Sequence, residues 1–389
     1  MGALARRARR PCGALLLLAL ALRGVASSGS ARVMDALAWR ARTRACADVA
    51  AVVRRWTGEG RARGHVACFV GRASGRTVAH EFVAVGERGL NVGYLRGALR
   101  FLRDAVEVGG EGGGGGAGRN WRAVWALEDD ASWPREFVRE LRELGVFVLA
   151  HSVEVGSVSD EIVFVPNFHF IKKRGFETLI EKLGRDERAF EDRENVVFWR
   201  GSTTGVVRSA EDDADVGRRD ERGASTTRND ELCARLPRVR AALLSNDAPW
   251  LDVAITRRVQ VCKGHRKPEL SIASRAPESS WIEHKGILEI DGNVDAWGNR
   301  WRMESGSVVF LVQSSFKHYY SDKLKDGVHY IGIAPDLSDL VEKTRLVTRS
   351  DAESVRRMRD IARNARELMR ELTYDRVVED VAARLFGRA

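Results

Sequence analysis

A chain of 389 residues exceeds what one ordinary domain needs, so two domains are expected. Hydrophobic residues make up 44% and charged residues 30%, a globular composition that excludes wholesale disorder. The net charge of +10 invites a nucleic-acid partner, but Arg6, Arg7, Arg9, Arg10 and Arg23 lie in a first stretch of 28 residues that contains no acid. Setting that stretch aside halves the excess, and no basic stripe interleaved with aromatics follows, so no nucleic-acid partner is expected.

That first stretch has the three parts of a secretory signal peptide: arginines at 6–10, an apolar run at 14–22 and small residues at 24–27. The apolar run is about half the roughly 20 residues of a spanning helix, so membrane attachment is expected only if the segment stays on as an anchor. Residues 1–28 are thus read as a signal, and the destination as the lumen of the endoplasmic reticulum or Golgi. Beyond Cys12, Cys46, Cys68, Cys233 and Cys262 make an even set that suits two disulfides. Cys46–Cys68 with Cys233–Cys262 is one of three connectivities, and spacing does not choose among them. The absence of a CxxC pair argues against zinc.

In chain order, apolar residues recur at helical spacing over 33–57. Strands are expected at 65–70 and 78–85, a helix at 94–106, a strand at 124–127, a helix opened by Pro134, and a strand at 146–149. A second alternating block begins with a strand at 196–199 and a helix at 230–244. Strands at 253–262, 287–290, 308–312 and 330–333 follow. Asp336 can cap a helix at 337–347, and helices at 352–372 and 374–385 close the chain. Such alternation indicates parallel α/β sheets, with ligands held at the carboxyl ends of the strands. The glycine-rich run at 109–118 reads as a loop, and the charged stretch at 207–227 as a solvated insertion.

Three segments offer chemistry. A strand runs into Arg200, Gly201, Ser202, Thr203, Thr204 and Gly205, where glycine admits close approach and Arg and hydroxyls suit phosphate oxygens. A second strand ends in Asp291-Gly292-Asn293, ahead of Trp297, Arg300 and Trp301. The third pairs Phe316-Lys317-His318-Tyr319-Tyr320 with Val328-His329-Tyr330, aromatics that suit stacking on a base or sugar. Two carboxylate groupings are set aside. Asp213-Ala214-Asp215 has DxD spacing but no strand before it, and Asp160 and Glu161 are neighbours that would point to opposite faces of a strand. No histidines have ligand spacing, and no metal is expected.

The ordered text VVFWRGSTTG, HKGILEIDGN, SGSVVFLV, HYY and GVHYIGIAPDLSDL resembles glycosyltransferase family 90, the protein O-glucosyltransferases and fungal capsule-associated xylosyltransferases, over residues 160–350. The resemblance implies a GT-B fold, with two Rossmann-like domains facing a cleft. It assigns residues 29–194 to acceptor binding, 195–350 to UDP-sugar binding, and 351–389 to helices packed across both. It also implies metal-independent, inverting transfer of glucose or xylose from UDP-glucose or UDP-xylose to a glycoprotein or glycan hydroxyl, with no cofactor. Asp129 best matches the family's general base, with Asp130 next, since both follow a strand and precede Pro134. Arg200, Gly201, Ser202, Thr203, Arg228 and Arg300 are expected at the diphosphate, Asp291 and Asn293 at the donor, and Pro166 and Phe168 along the acceptor groove. One family arginine is expected seven residues after Asp291, where this chain has Gly298, with Arg300 as its replacement and Arg302 as the fallback. That departure leaves open an inactive, lectin-like member.

Overall fold

The computed structural model describes residues 46–58, 66–72, 75–84, 92–111, 120–127, 133–156, 159–185, 188–206 and 226–387. The signal-like segment, the general-base candidates Asp129 and Asp130, and residues 207–225 of the charged stretch read over 207–227 lie outside them, while its last two residues open a helix. None of the described helices is long and apolar enough to cross a membrane.

The N-terminal half begins with α1 (Ala47–Gly58), tied by a Cys46–Cys68 disulfide to β1 (Val66–Arg72). After β2 (Gly75–Ala84) come α2 (Val92–Glu111), β3 (Asn120–Ala126), α3 (Arg135–Glu143) and β4 (Phe147–Ala150). Two short strands follow, β5 (Ser152–Glu154) and β6 (Val163–Phe164), then α4 (Phe168–Lys172) and α5 (Glu177–Arg185). The sheet order is β2-β1-β3-β4-β6. It is mixed rather than wholly parallel: β1 runs antiparallel to β2 and β3, while β3, β4 and β6 run together. Too few residues separate β1 from β2 for the crossover that parallel strands need.

The C-terminal half opens with β7 (Glu194–Ser202). Where a single helix is expected over 230–244, two occur, α6 (Thr226–Arg235) and α7 (Pro237–Leu244). Pro237 has no amide to continue the first helix, and it disfavours helical backbone at Leu236. Then come β8 (Leu251–Arg257), β9 (His284–Glu289), α8 (Asn299–Glu304), β10 (Val308–Val312), β11 (Phe316–His318) and β12 (Ile331–Ile333). The helix expected from Asp336 is shorter, α9 (Leu340–Thr344), because Asp336 accepts from Ser338 in a local turn. Helices α10 (Ala352–Arg370) and α11 (Tyr374–Phe386) end the described chain.

All five strands of the second sheet are parallel, in the order β12-β10-β9-β7-β8. Counted from β7 this is the doubly wound order 2-1-3-4-5, whose crevice opens between its first and third strands, here β7 and β9. The halves meet through an antiparallel pair of β5 with β11 and through the terminal helices. Helix α10 packs on α8 and β10, while α11 packs on α2 and β6. One buried apolar cluster runs through both sheets. A smaller one gathers Leu232, Leu236, Val239 and Val261 around the Cys233–Cys262 disulfide.

Candidate active site

At the carboxyl ends of β7 and β9 the chain leaves the sheet in two loops that touch. The first carries Ser202, Thr203 and Thr204, and the second Asp291, Gly292 and Asn293. A Cβ on Gly292 would lie 3.0 Å from Thr204 Oγ1 and 3.2 Å from an Arg238 nitrogen, so a side chain there would crowd this contact. Gly201 pairs with Ile255 of β8, and its Cα faces the ring of Trp199. Thr203 is fully buried, and its hydroxyl accepts from the Val259 amide at 2.8 Å and donates to the Val259 carbonyl at 3.0 Å. It pins the loop, leaving Ser202 and Thr204 as the hydroxyls nearest the crevice.

Arg238 was not foreseen from the sequence, yet it is the guanidinium set between the two loops. Pro237 starts α7 at its first turn, and Leu236 is held in the small core beside the disulfide, which aims the next residue under the loops. Arg238 donates to the carbonyls of Asp291 (2.9 Å) and Ile290 (3.0 Å) and to Thr204 Oγ1 (2.5 Å). It lies 5.3 Å from the centre of the Trp199 ring. Burial pulls its pKa down to about 10, opposed by Asp291 and other nearby carboxylates, and it stays cationic at neutral pH. A Pro-Arg pair at a helix start was the available signal.

Asn293 accepts from Gln260 Nε2 at 2.9 Å, and Gln260 Oε1 accepts from the Gly205 amide at 3.1 Å. Gln260 thereby bridges the two loops from a left-handed backbone, φ 51°. Below them Glu289, wholly buried, takes a two-pronged pair from Arg302 at 2.8 and 3.0 Å. Burial pushes the Glu289 carboxyl up to about 7 despite that pair. Burial also raises Asp291, opposed first by His318, whose Nε2 is 4.0 Å from Asp291 Oδ2. From the other half of the molecule, Asn167 Nδ2 donates to Asp295 Oδ2 at 2.7 Å. His169 stacks on Trp297 with centroids 3.9 Å apart.

Several expected donor residues turn elsewhere. Arg200 pairs with Asp252 at 2.7 Å and lies over Phe198 at 4.3 Å. Strand alternation puts it on the face opposite Trp199 and Arg238. Arg228 stands exposed on α6, on the far side of the helix break from Arg238. Arg300 is buried and donates to the carbonyls of Leu372 (2.9 Å), Met369 (3.3 Å) and Gly175, so it braces α8 against α10 and the 174–176 turn. At Gly298 a Cβ would meet the Trp301 indole nitrogen at 2.5 Å and the Arg302 guanidinium carbon at 3.0 Å. Arg302 therefore occupies the space a side chain at 298 would need, and it rather than Arg300 reaches the base of the crevice.

The groove residues divide. Pro166 lines a small cavity with Asn167, Trp297, Tyr319 and Tyr320. Phe168 is not a groove wall: it is buried and stacks on Tyr94 at 4.4 Å and Trp125 at 5.6 Å. Asn167 between them accepts from the Phe170 amide, capping α4, and carries the contact to Asp295. Gln260 and Asp295 carry no local signal, because each is placed by a partner distant in the chain.

Residues 162–386 match the family model described as Glycosyl transferase family 90. The chain is 31% identical over 184 residues to Uncharacterized protein 035R of Invertebrate iridescent virus 3, covering 46% of this chain and 15% of that protein. It is 28% identical over 156 residues to Protein O-glucosyltransferase 3 of Rattus norvegicus, covering 39% of this chain and 30% of the relative. A shorter match, 32% over 74 residues, links it to Protein O-glucosyltransferase 2 of Danio rerio, covering 19% of this chain and 15% of that protein. The chain thus spans less than a third of the length of these relatives. With a family match over more than half of its residues, the chain belongs to glycosyl transferase family 90.

Proposed function

We propose that the protein transfers glucose or xylose from a UDP-sugar to a hydroxyl of a glycoprotein or glycan, with inversion, in the lumen of the secretory pathway. The observation that carries this is the placing of Ser202, Thr204, Arg238 and Asp291 at the β7/β9 crevice of a family 90 sheet. Two disulfides and the printed names of the rat and zebrafish relatives support the compartment and a protein acceptor. Two α/β halves, each with its own sheet, support a GT-B arrangement with residues 29–194 on the acceptor side, 195–350 on the donor side and 351–389 as shared helices.

In this reading the donor diphosphate lies across the two loops. The sugar C1–O bond breaks with its electron pair going to the diphosphate, whose growing charge faces Arg238. The acceptor oxygen bonds to C1 from the opposite face, and its proton passes to the carboxylate of Asp129, or of Asp130, which follow β3 in the sequence. A second reading, sugar binding without turnover, draws on Gly298 and on Arg200, Arg300 and Arg302 being engaged elsewhere.

The test is UDP release from a panel of UDP-sugars with acceptor peptides, run on the wild type and on Asp129→Asn and Asp130→Asn. Release should fall at least about a hundredfold in one variant. Equal rates in all three would remove both carboxylates as the base. A wild type that binds UDP-sugar but never turns over would replace transfer by binding.

A further inference from the structure

Gln260 holds a left-handed backbone, φ 51°. Glycine adopts that conformation without steric cost and asparagine at little, whereas a glutamine there persists only because its surroundings hold it. The turn that carries it is fixed on both sides. Before it, Thr203 Oγ1 accepts from the Val259 amide and donates to the Val259 carbonyl. After it, Cys262 is fully buried and bonded to Cys233. The Lys263 amide donates to the Gln260 carbonyl at 2.9 Å and closes the turn. From this fixed turn the side chain reaches both crevice loops.

Its amide uses both ends. The Gly205 amide can only donate, so it selects Oε1 as its acceptor, and Nε2 is left to face Asn293 Oδ1. Gly205 is buried, and a Cβ on it would lie 3.3 Å from Leu236 Cδ2, so the end of the first loop is seated against the small core beside the disulfide. Asn293 belongs to the second loop. Arg238 also bonds to both loops, through Thr204 Oγ1 and the Asp291 carbonyl. Arg238 is charged, however, and a guanidinium bonds more strongly to phosphate oxygens than to neutral ones. An arriving diphosphate therefore draws Arg238 away from the loop oxygens it now holds. The neutral amide of Gln260 feels no comparable pull, so its bridge stays in place when Arg238 turns.

We propose that Gln260 is a positioning residue for the donor: its side-chain amide fixes the gap between the 202–205 and 291–293 loops, so that Ser202, Thr204 and Arg238 meet the diphosphate together. The role rests on the donor site proposed above. It acts through the loops and requires no contact between Gln260 and the sugar nucleotide.

The experiment measures UDP binding by calorimetry with the purified full chain as wild type, Gln260→Gly and Gln260→Met. Glycine removes the bridge but suits the left-handed backbone, and methionine keeps the length of the side chain without its amide. The melting temperature of Gln260→Gly should stay within about 3 °C of the wild type. The dissociation constant for UDP should rise at least about tenfold in both variants, and the KM for the UDP-sugar should rise with it while the acceptor KM stays unchanged. A general loosening of the fold would move both KM values. An unchanged dissociation constant in Gln260→Gly, where the wild type binds UDP, overturns the positioning role and leaves the donor reading standing. A wild type that binds no UDP overturns the donor reading and this role with it. Weaker UDP binding by the variants of a chain that never turns over would uphold the role while defeating the transfer reading. Should neither variant fold, amide exchange in the wild type decides: the Gly205 amide should be protected, and exchange at the rate of an open chain overturns the bridge.

Discussion

Glu289 shows what burial does to a charge that the sequence presents as ordinary. It is wholly buried at the end of β9, and Arg302 meets it with two hydrogen bonds. Desolvation still outweighs the pair, and the neighbouring carboxylates Asp291 and Asp295 add to it, so the carboxyl moves from 4.5 to about 7. Below the unfolded value both states hold the proton and there is no penalty. As pH rises through the folded value, the native state must ionise a buried group that the unfolded chain ionised earlier, so its contribution to stability falls. The melting temperature of the wild type, relative to Glu289→Gln, should therefore drop as pH rises from about 5 to about 8. Parallel melting curves for the two proteins would show that Arg302 keeps Glu289 ionised throughout.

The element that most affects the candidate site is the α6–α7 corner. Pro237 divides the helix, Leu236 enters a core of its own, and Cys233 is tied to Cys262 in the turn that also presents Gln260. A closed loop with a sequence separation of 29 is worth about 3.5 kcal/mol on chain-entropy grounds. Replacing both cysteines by serine should lower stability by about that amount in urea denaturation. Amide exchange at 240–244 should quicken, because the corner that carries these bonded amides loses its covalent tie. Unchanged exchange there would mean that packing alone positions Arg238.

At the scale of the whole molecule, the halves are joined by groups that a diphosphate site could otherwise have claimed. Arg300 bonds three carbonyls from two distant segments. Around it, Tyr374 donates to Asp104 at 2.7 Å, Tyr319 to Asp380 at 2.6 Å, and Asn167 to Asp295. Removing Arg300 strands buried carbonyls and leaves Glu304 without its partner at 3.2 Å. Arg300→Met should cost about 3–5 kcal/mol in chemical denaturation. Arg238→Met should instead lower kcat/KM for the donor by about 10²–10³. If the losses fell the other way round, the assignment of these two arginines would be exchanged.

The sequence by itself determined the alternation of strands and helices, an even set of cysteines, and the polar glycine-containing exits that follow β7 and β9. These are local properties: periodicity is written within one element, and a Gly-Ser or Asp-Gly-Asn exit needs no distant partner. Tertiary structure decided which arginines face those loops. Arg200, Arg238, Arg300 and Arg302 are alike in composition, but each long side chain goes to the partner its neighbours provide: Asp252, the crevice carbonyls, the brace at 372, or Glu289. It also decided the disulfide pairing, the mixed first sheet, and the pairing of Asn167 with Asp295 and of His318 with Asp291. Those outcomes depend on which strand lies beside which, and that is set by packing between segments far apart in the chain.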